Sequence, residues 1–217
     1  MTAVVTSSGL VAVLEACWNA IRVRHPELPE VVIVVASGSG ERARRLTLGH
    51  FAPDRWEVRG NNRHEIMISG EGLKRGPVDV LGTLLHEAAH AVAVVRGVQD
   101  TSRGGRYHNR RFKAIAEELG LTIGVDRSIG WSLTTVPETT QHVYGDALDR
   151  LSDALVLWRR EEVRGGGGGS EPSRNLISCQ CACSRKIRVA PSMLAVGSIT
   201  CGLCGGDFEP GSGDLDS

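Results

Sequence analysis

Aromatic side chains are scarce, at 4% of the 217-residue chain, so any core must rest on Val, Leu, Ile and Ala. Net charge is absent: 25 basic residues balance 25 acidic ones, which argues against nucleic-acid binding through bulk charge and leaves only local patches. No stretch approaches the roughly 18 apolar residues of a membrane span. The start lacks the features of a targeting leader, since the first basic residue is Arg22 and Glu15 interrupts the apolar run from Leu10. A soluble, cytoplasmic protein with no membrane partner is therefore expected. Cysteine is nearly missing outside one cluster: only Cys17 lies elsewhere, and Cys179, Cys181, Cys183, Cys201 and Cys204 fall together. In an unexported protein such a cluster reads as a metal site rather than a disulfide framework. Cys17 recurs with Leu10, Leu14 and Ile21 on one face of a helix, as a small buried hydrophobe, with Ser7 or Ser8 as candidate caps.

What the chain does contain divides it. Residues 164–175 include five consecutive glycines, a flexible linker between a body, 1–163, and a cysteine-bearing module, 176–210. The tail, 211–217, is expected to be disordered. Within the body, Leu10 to Arg24 reads as an amphipathic helix stopped by His25-Pro26, and the β-branched run 31–37 as a buried strand. Further strands are expected around Arg55 to Val58 and at 64–69. A long helix follows over 78–97, then a basic glycine-containing loop, 99–107, and a helix from Asn109 that Gly120 ends. After an irregular stretch with Trp131, residues 140–163 read as a last helix. Helices framing a small sheet make the body α+β.

The chemistry concentrates in His86-Glu87-Ala88-Ala89-His90, an HExxH pattern on the long helix. Positions four apart lie about 40° apart around a helix, so both imidazoles project from one face and can grip a single Zn²⁺. Glu87 lies about 100° from His86, placed to take a proton from water at the metal rather than to ligate. The plain alternative is a charged trio on a solvated face. The flanks oppose it: Leu84-Leu85 precede and Ala-Val-Ala-Val-Val follows, and burying two histidines and a carboxylate among them is costly unless a metal pairs them. A catalytic zinc needs a third protein ligand. The continuation HExxHxxGxxH is absent, with Ala93 and Arg96 in place of its glycine and third histidine. His108, or Glu117 or Glu118, remains downstream, while His25, His50, His64 and His142 have no supporting context.

TLLHEAAHAVA followed by GGRYHNRRFKAIAEELGL resembles the SprT-like metallopeptidase signature. There an HExxH helix is followed by a Gly-rich loop, a third histidine and a Phe four residues later; His108 and Phe112 hold those positions here. The likeness covers roughly residues 30–120 and the tail module. It implies a zincin-like peptidase domain with the HExxH helix near a small sheet, a catalytic zinc on His86, His90 and His108, Glu87 as general base, and a protein substrate. Asn109 and Arg110 depart from the pattern, in which Gly and Pro follow the histidine.

In the module, Cys201-Gly-Leu-Cys204-Gly-Gly is a zinc knuckle, and KIRVA and SIT read as short strands, giving a zinc ribbon. About 40 residues cannot build a sufficient core, so the module needs its metal to fold. Four thiolates fill a tetrahedral site: Cys181, Cys201 and Cys204, with Cys179 or Cys183 as the fourth, and its zinc is structural. Finally, Arg103, Arg106, Arg110, Arg111 and Lys113 flank His108 without an acidic residue among them. They suit a phosphate backbone, and relatives in the resembled family cleave proteins crosslinked to DNA, which implies DNA as a partner. An ordinary solvated helix face is the alternative there. The rival for the whole chain is an adaptor that binds DNA or protein through structural zinc sites, without catalysis.

Overall fold

The computed structural model describes residues 6–38, 46–160 and 176–210. The expected linker at 164–175 and tail at 211–217 lie outside them. Two compact units divide at residues 162 and 163.

In the first unit, α1 (Ser7–Arg24) buries Leu10, Leu14, Cys17, Trp18 and Ile21, the spacing of one helical face. Its cap is Thr6, whose hydroxyl accepts from the Gly9 N–H at 3.2 Å, rather than Ser7 or Ser8. Strand β1 (Val31–Ala36) runs parallel to β3 (Asn61–Ser69), which pairs antiparallel with β2 (Gly49–Val58), giving the order β1-β3-β2. Strand β2 is longer than the short segment expected around 55–58. Pro53 and Asp54 hide it in the sequence: the register shifts between Ala52 and Trp56, and Asp54 adopts φ 53. A proline is tolerated there because β2 is an edge strand.

A 3-10 turn (Glu71–Arg75) leads into α2 (Pro77–Val95), with Pro77 at its start. Gly97, at φ 63, turns the chain away, and the Val98 N–H closes on the Ala93 carbonyl at 2.8 Å. Contrary to expectation, α2 is long and apolar enough to cross a membrane by length and composition. Its few polar residues, among them Asp79, His86, Glu87 and His90, are diluted by Val, Leu and Ala, and most of the helix is buried in the body.

The basic loop contains a short hairpin, β4 (Thr101–Ser102) and β5 (Tyr107–His108), before α3 (Arg110–Glu118). The stretch around Trp131 is not irregular: β6 (Thr122–Asp126) and β7 (Gly130–Thr135) form a hairpin, and β7 pairs with β5, giving the sheet order β4-β5-β7-β6. The last expected helix is two pieces, α4 (Glu138–Val143) and α5 (Gly145–Ala154), broken at Tyr144. Both sheets and α1, α3 and α5 contact α2, which makes it the central helix of an α+β body.

A buried carboxylate ties the end of this body together. Glu71, 0% exposed, accepts from the Ser37 hydroxyl (3.1 Å), the Gly38 N–H (3.0 Å), the Ser69 hydroxyl (3.0 Å) and Arg159 (2.5 Å). Burial alone would raise its carboxyl, but the bonds from Gly38, its own N–H, Arg159 and Ser69 outweigh that and hold it down at about 2. A folded value below the ordinary 4.5 stabilises the fold above that pH, and this contribution is lost as pH falls from about 4.5 toward 2. Glu71→Gln is therefore expected to cost about 3 kcal/mol at neutral pH. In urea titrations the gap from the parent protein should close as pH falls through that window; a gap independent of pH would contradict the assignment.

The second unit has the sheet order β10-β8-β9, from β8 (Ile177–Gln180), β9 (Lys186–Val189) and β10 (Glu209–Pro210), with α6 (Pro191–Val196) between β9 and the Cys201 turn. Its core is Cys179, Cys181, Cys201 and Phe208.

Candidate metal centres

Helical spacing places Thr83, His86, Glu87 and His90 on one stripe of α2. The β4–β5 hairpin then carries His108 onto that stripe. Its Nε2 lies 3.3 Å from Nε2 of His86 and 3.2 Å from Nε2 of His90. Phe112, fully buried on the first turn of α3, packs against all three rings at centroid distances of 4.6 to 4.7 Å.

The hydrogen bonds behind the rings fix which nitrogens are free. His108 Nδ1 lies 3.1 Å from the Ile129 carbonyl, which can only accept, so Nδ1 carries the proton. His90 Nδ1 lies 2.5 Å from the Asp100 carboxylate, with the same consequence. His86 Nδ1 lies 2.9 Å from the Thr134 hydroxyl, which accepts from it when its own proton goes to the Ser132 carbonyl at 3.4 Å. In the neutral rings all three Nε2 lone pairs consequently converge on one point. At 3.2 to 3.3 Å such lone pairs repel unless a cation lies between them. A tetrahedral zinc separates its imidazole nitrogens by about 3.3 Å, so the donor set fits that ion.

Electrostatics agree with a neutral donor set in part. Burial, then the neighbouring His90 and His108, pushes His86 well below its ordinary value. Burial also lowers His108. Burial works against protonated His90, but the Asp100 bond and the charges of Glu87 and Asp100 prevail and raise it. Glu87 is 4% exposed. Burial raises its carboxyl to about 7, while His90 and the Phe51 backbone N–H pull the other way.

Asn109, the departure from the resembled pattern, has a local role. Its Oδ1 caps α3 by accepting from the Arg111 N–H (2.7 Å) and the Phe112 N–H (3.3 Å). Its Nδ2 donates to the Gln99 carbonyl (2.9 Å), and its N–H to the Asp100 carbonyl (2.9 Å). The hairpin that presents His108 is thus clamped at its base, beside the carboxylate that orients His90.

The alternative ligands lie elsewhere. Glu118 pairs with Arg96 at 2.7 Å and Glu117 with Lys113 at 3.4 Å, both as exposed surface ion pairs. His50 lies 4.0 Å from Glu65, and His64 stacks on Phe51 beside Asp54. Neither they nor His25 nor His142 joins a metal-binding group among the described residues. Sequence reasoning missed Asp100, Thr134 and the Ile129 carbonyl. Asp100, ten residues after His90 at the mouth of the loop, was the one with a signal, since a carboxylate commonly backs a ligating imidazole.

In the second unit the ligand atoms of Cys181, Cys183, Cys201 and Cys204 all lie within 4.8 Å of one another, a set able to hold a metal ion. Cys183 Sγ is 3.3 Å from Cys181 Sγ and 3.8 Å from Cys201 Sγ, against about 3.8 Å between thiolates on a tetrahedral zinc. The fourth position therefore goes to Cys183, and Cys179 is a fully buried core residue outside the set. Backbone N–H groups of Cys204 and Leu203 hold the Cys201 thiol down at about 6, and those of Gly206 and Cys183 lower Cys204. Gly205, at φ 69, permits the tight turn, its N–H bonding the Cys201 carbonyl at 2.9 Å.

Arg103, Arg106, Arg110 and Arg111 are exposed. Arg103 lies over the Tyr107 ring and Lys113 over Trp131, with cation-to-centroid distances of 4.7 and 4.6 Å. Comparison with protein-family models, curated proteins and solved structures gives no match to this chain.

Proposed function

We propose that the body is a zinc-dependent endopeptidase with a zincin-like, SprT-like site, and that the second unit is a structural zinc ribbon. The observation that carries this reading is the convergence of three imidazole Nε2 atoms on one point beside a buried carboxylate carried by the same helix. His86, His90 and His108 would hold the ion. Bound there, zinc supplies Lewis acidity, acidifying a water and polarising a peptide carbonyl. Glu87 takes the proton of the attacking water and delivers it to the leaving amine. Asp100, Thr134 and the Ile129 carbonyl keep the three rings in the ligating tautomer, and Phe112 holds their planes. A purely structural three-histidine site has no need of a carboxylate buried at a cost beside it, which favours catalysis over the adaptor reading.

The exposed arginines around His108 support a DNA-associated protein as substrate, because the guanidinium groups of Arg103, Arg106, Arg110 and Arg111 flank it at the surface and suit a phosphate backbone. The test is cleavage of an unstructured protein by the zinc-loaded chain, with and without DNA. Cleavage should stop on chelation and return with zinc, and the DNA stimulation should fall with added salt. Cleavage that survives chelation would refute the metal reading; indifference to DNA would confine the substrate to free protein.

A further inference from the structure

We infer that Gly49 is a positioning residue for Glu87, and that its missing side chain is what lets edge strand β2 hold the carboxylate in place. The inference rests on the hydrolytic reading of the histidine site but is carried by a separate observation. A Cβ on Gly49 would lie 2.7 Å from Thr83 Cγ2, 3.0 Å from Glu87 Oε1 and 3.1 Å from the Met67 carbonyl oxygen. Real Cβ atoms essentially never approach closer than 3.0 Å, so something must move.

The three neighbours are not equally free. Met67 O belongs to the backbone of β3, where Met67 is paired opposite His50 of β2. Thr83 is pinned: its hydroxyl accepts from Arg75 Nη2 at 2.7 Å and donates to the Asp79 carbonyl at 3.0 Å, and rotating its methyl away would break both bonds. With the Thr83 methyl fixed, an added Cβ must move off it, and of the two remaining neighbours only the Glu87 carboxylate, the far end of a flexible side chain, can give way. Gly49 has no left-handed φ, so alanine is allowed there by the backbone and only the space is at issue. Two residues along the same side of β2, the Phe51 N–H is directed at the Glu87 carboxylate. Strand β2 thus meets Glu87 through a bare Cα at one residue and an amide at the next but one. No side chain intervenes, and the proton acceptor is held where the helical stripe places it.

Gly49→Ala tests this, compared with Gly49→Ala/Thr83→Ser, in which the obstructing methyl is removed and the pinned hydroxyl is kept. Two readouts are used: peptide hydrolysis by the zinc-loaded chain, and the chemical shift and hydrogen-exchange protection of the Phe51 amide, measured with and without zinc. Gly49→Ala is expected to keep its zinc and its KM and to lose about 10²-fold in kcat, the scale of an ångström-sized misplacement. Its Phe51 amide should move toward the shift and protection seen in Glu87→Ala, while the Ile66 and Ile68 amides stay put. The double variant should recover most of both. Wild-type kcat and Phe51 shift in Gly49→Ala would overturn the inference. So would a lower melting temperature with unchanged kcat per folded molecule, since that is packing alone. If the parent protein hydrolyses nothing, the peptidase reading fails, and the Phe51 amide still decides whether Gly49 sets the carboxylate.

Discussion

Glu87→Gln is expected to bind zinc as the parent does and to lose about 10²–10⁴-fold in kcat, the usual contribution of a positioned general base. Glutamine has the shape of glutamate and can still accept from the Phe51 N–H through its amide oxygen, but it cannot take a proton. Zinc affinity should hold, because the group able to hold a metal is the three imidazoles and Glu87 is not among them. Stability should hold or rise. Burial disfavours the charged form of Glu87 enough to raise it to about 7, and a neutral amide escapes that penalty. A more stable but inactive variant is the pattern expected where a fold tolerates an unfavourable group for its chemistry. His108→Ala is the contrasting control, expected to lose metal and activity together. Equal turnover by Glu87→Gln and the parent, on any peptide the parent cleaves, would remove Glu87 from the chemistry.

The residues that made the histidine site legible in the sequence are those whose spacing is set by one helix. His86, Glu87 and His90 share a stripe of α2 whatever the tertiary structure does, and the apolar flanks announce that the stripe is buried. His108 needed the family resemblance, because its approach depends on a hairpin of two-residue strands that carries no periodic signal. Asp100 precedes β4 whereas Ile129 and Thr134 lie on the β6–β7 hairpin, and the two segments come together only when β7 pairs with β5. The hairpin β6–β7 was itself illegible. Gly124, Gly130 and the register shift after Gly124 interrupt the alternation by which a strand is recognised. Strand β2 was hidden in the same way by Pro53 and a left-handed Asp54, and with it the approach of Gly49 and Phe51 to Glu87. Long-range pairing decides these features, and local sequence does not encode it.

The cysteine module shows the same division, and it leads to the second large expected effect: the segment 176–210 should be unfolded without metal and ordered with it. Three of the four residues in its buried core cluster are cysteines, and two of those, Cys181 and Cys201, also belong to the set able to hold a metal ion. Beside the cysteines that cluster buries Phe208, with Ile177, Ile187, Leu194 and Ile199 only partly buried against it, too little to offset the chain entropy of a domain. Without an ion, thiols held 3.3 to 3.8 Å apart with one already inclined to ionise would repel as they charge. Zinc binding to such a set is worth on the order of 10 kcal/mol, enough to fold it outright. Alternating cysteines in the sequence could not say whether Cys179 or Cys183 ligates. The structure separates them by strand end: Cys179 lies within β8, opposite Ile187 of β9, whereas Cys181 and Cys183 fall beyond Gln180 in the turn. The two cysteines should therefore fail differently. Cys183→Ser should abolish zinc-induced order, because a three-thiolate site no longer closes. Cys179→Ser should keep one zinc per segment and lose only stability, from a hydroxyl placed in the core. Circular dichroism and zinc titration of the reduced segment distinguish the cases. Order persisting in the metal-free, reduced segment would contradict the metal-dependent fold, and loss of zinc in Cys179→Ser with retention in Cys183→Ser would reverse the ligand assignment.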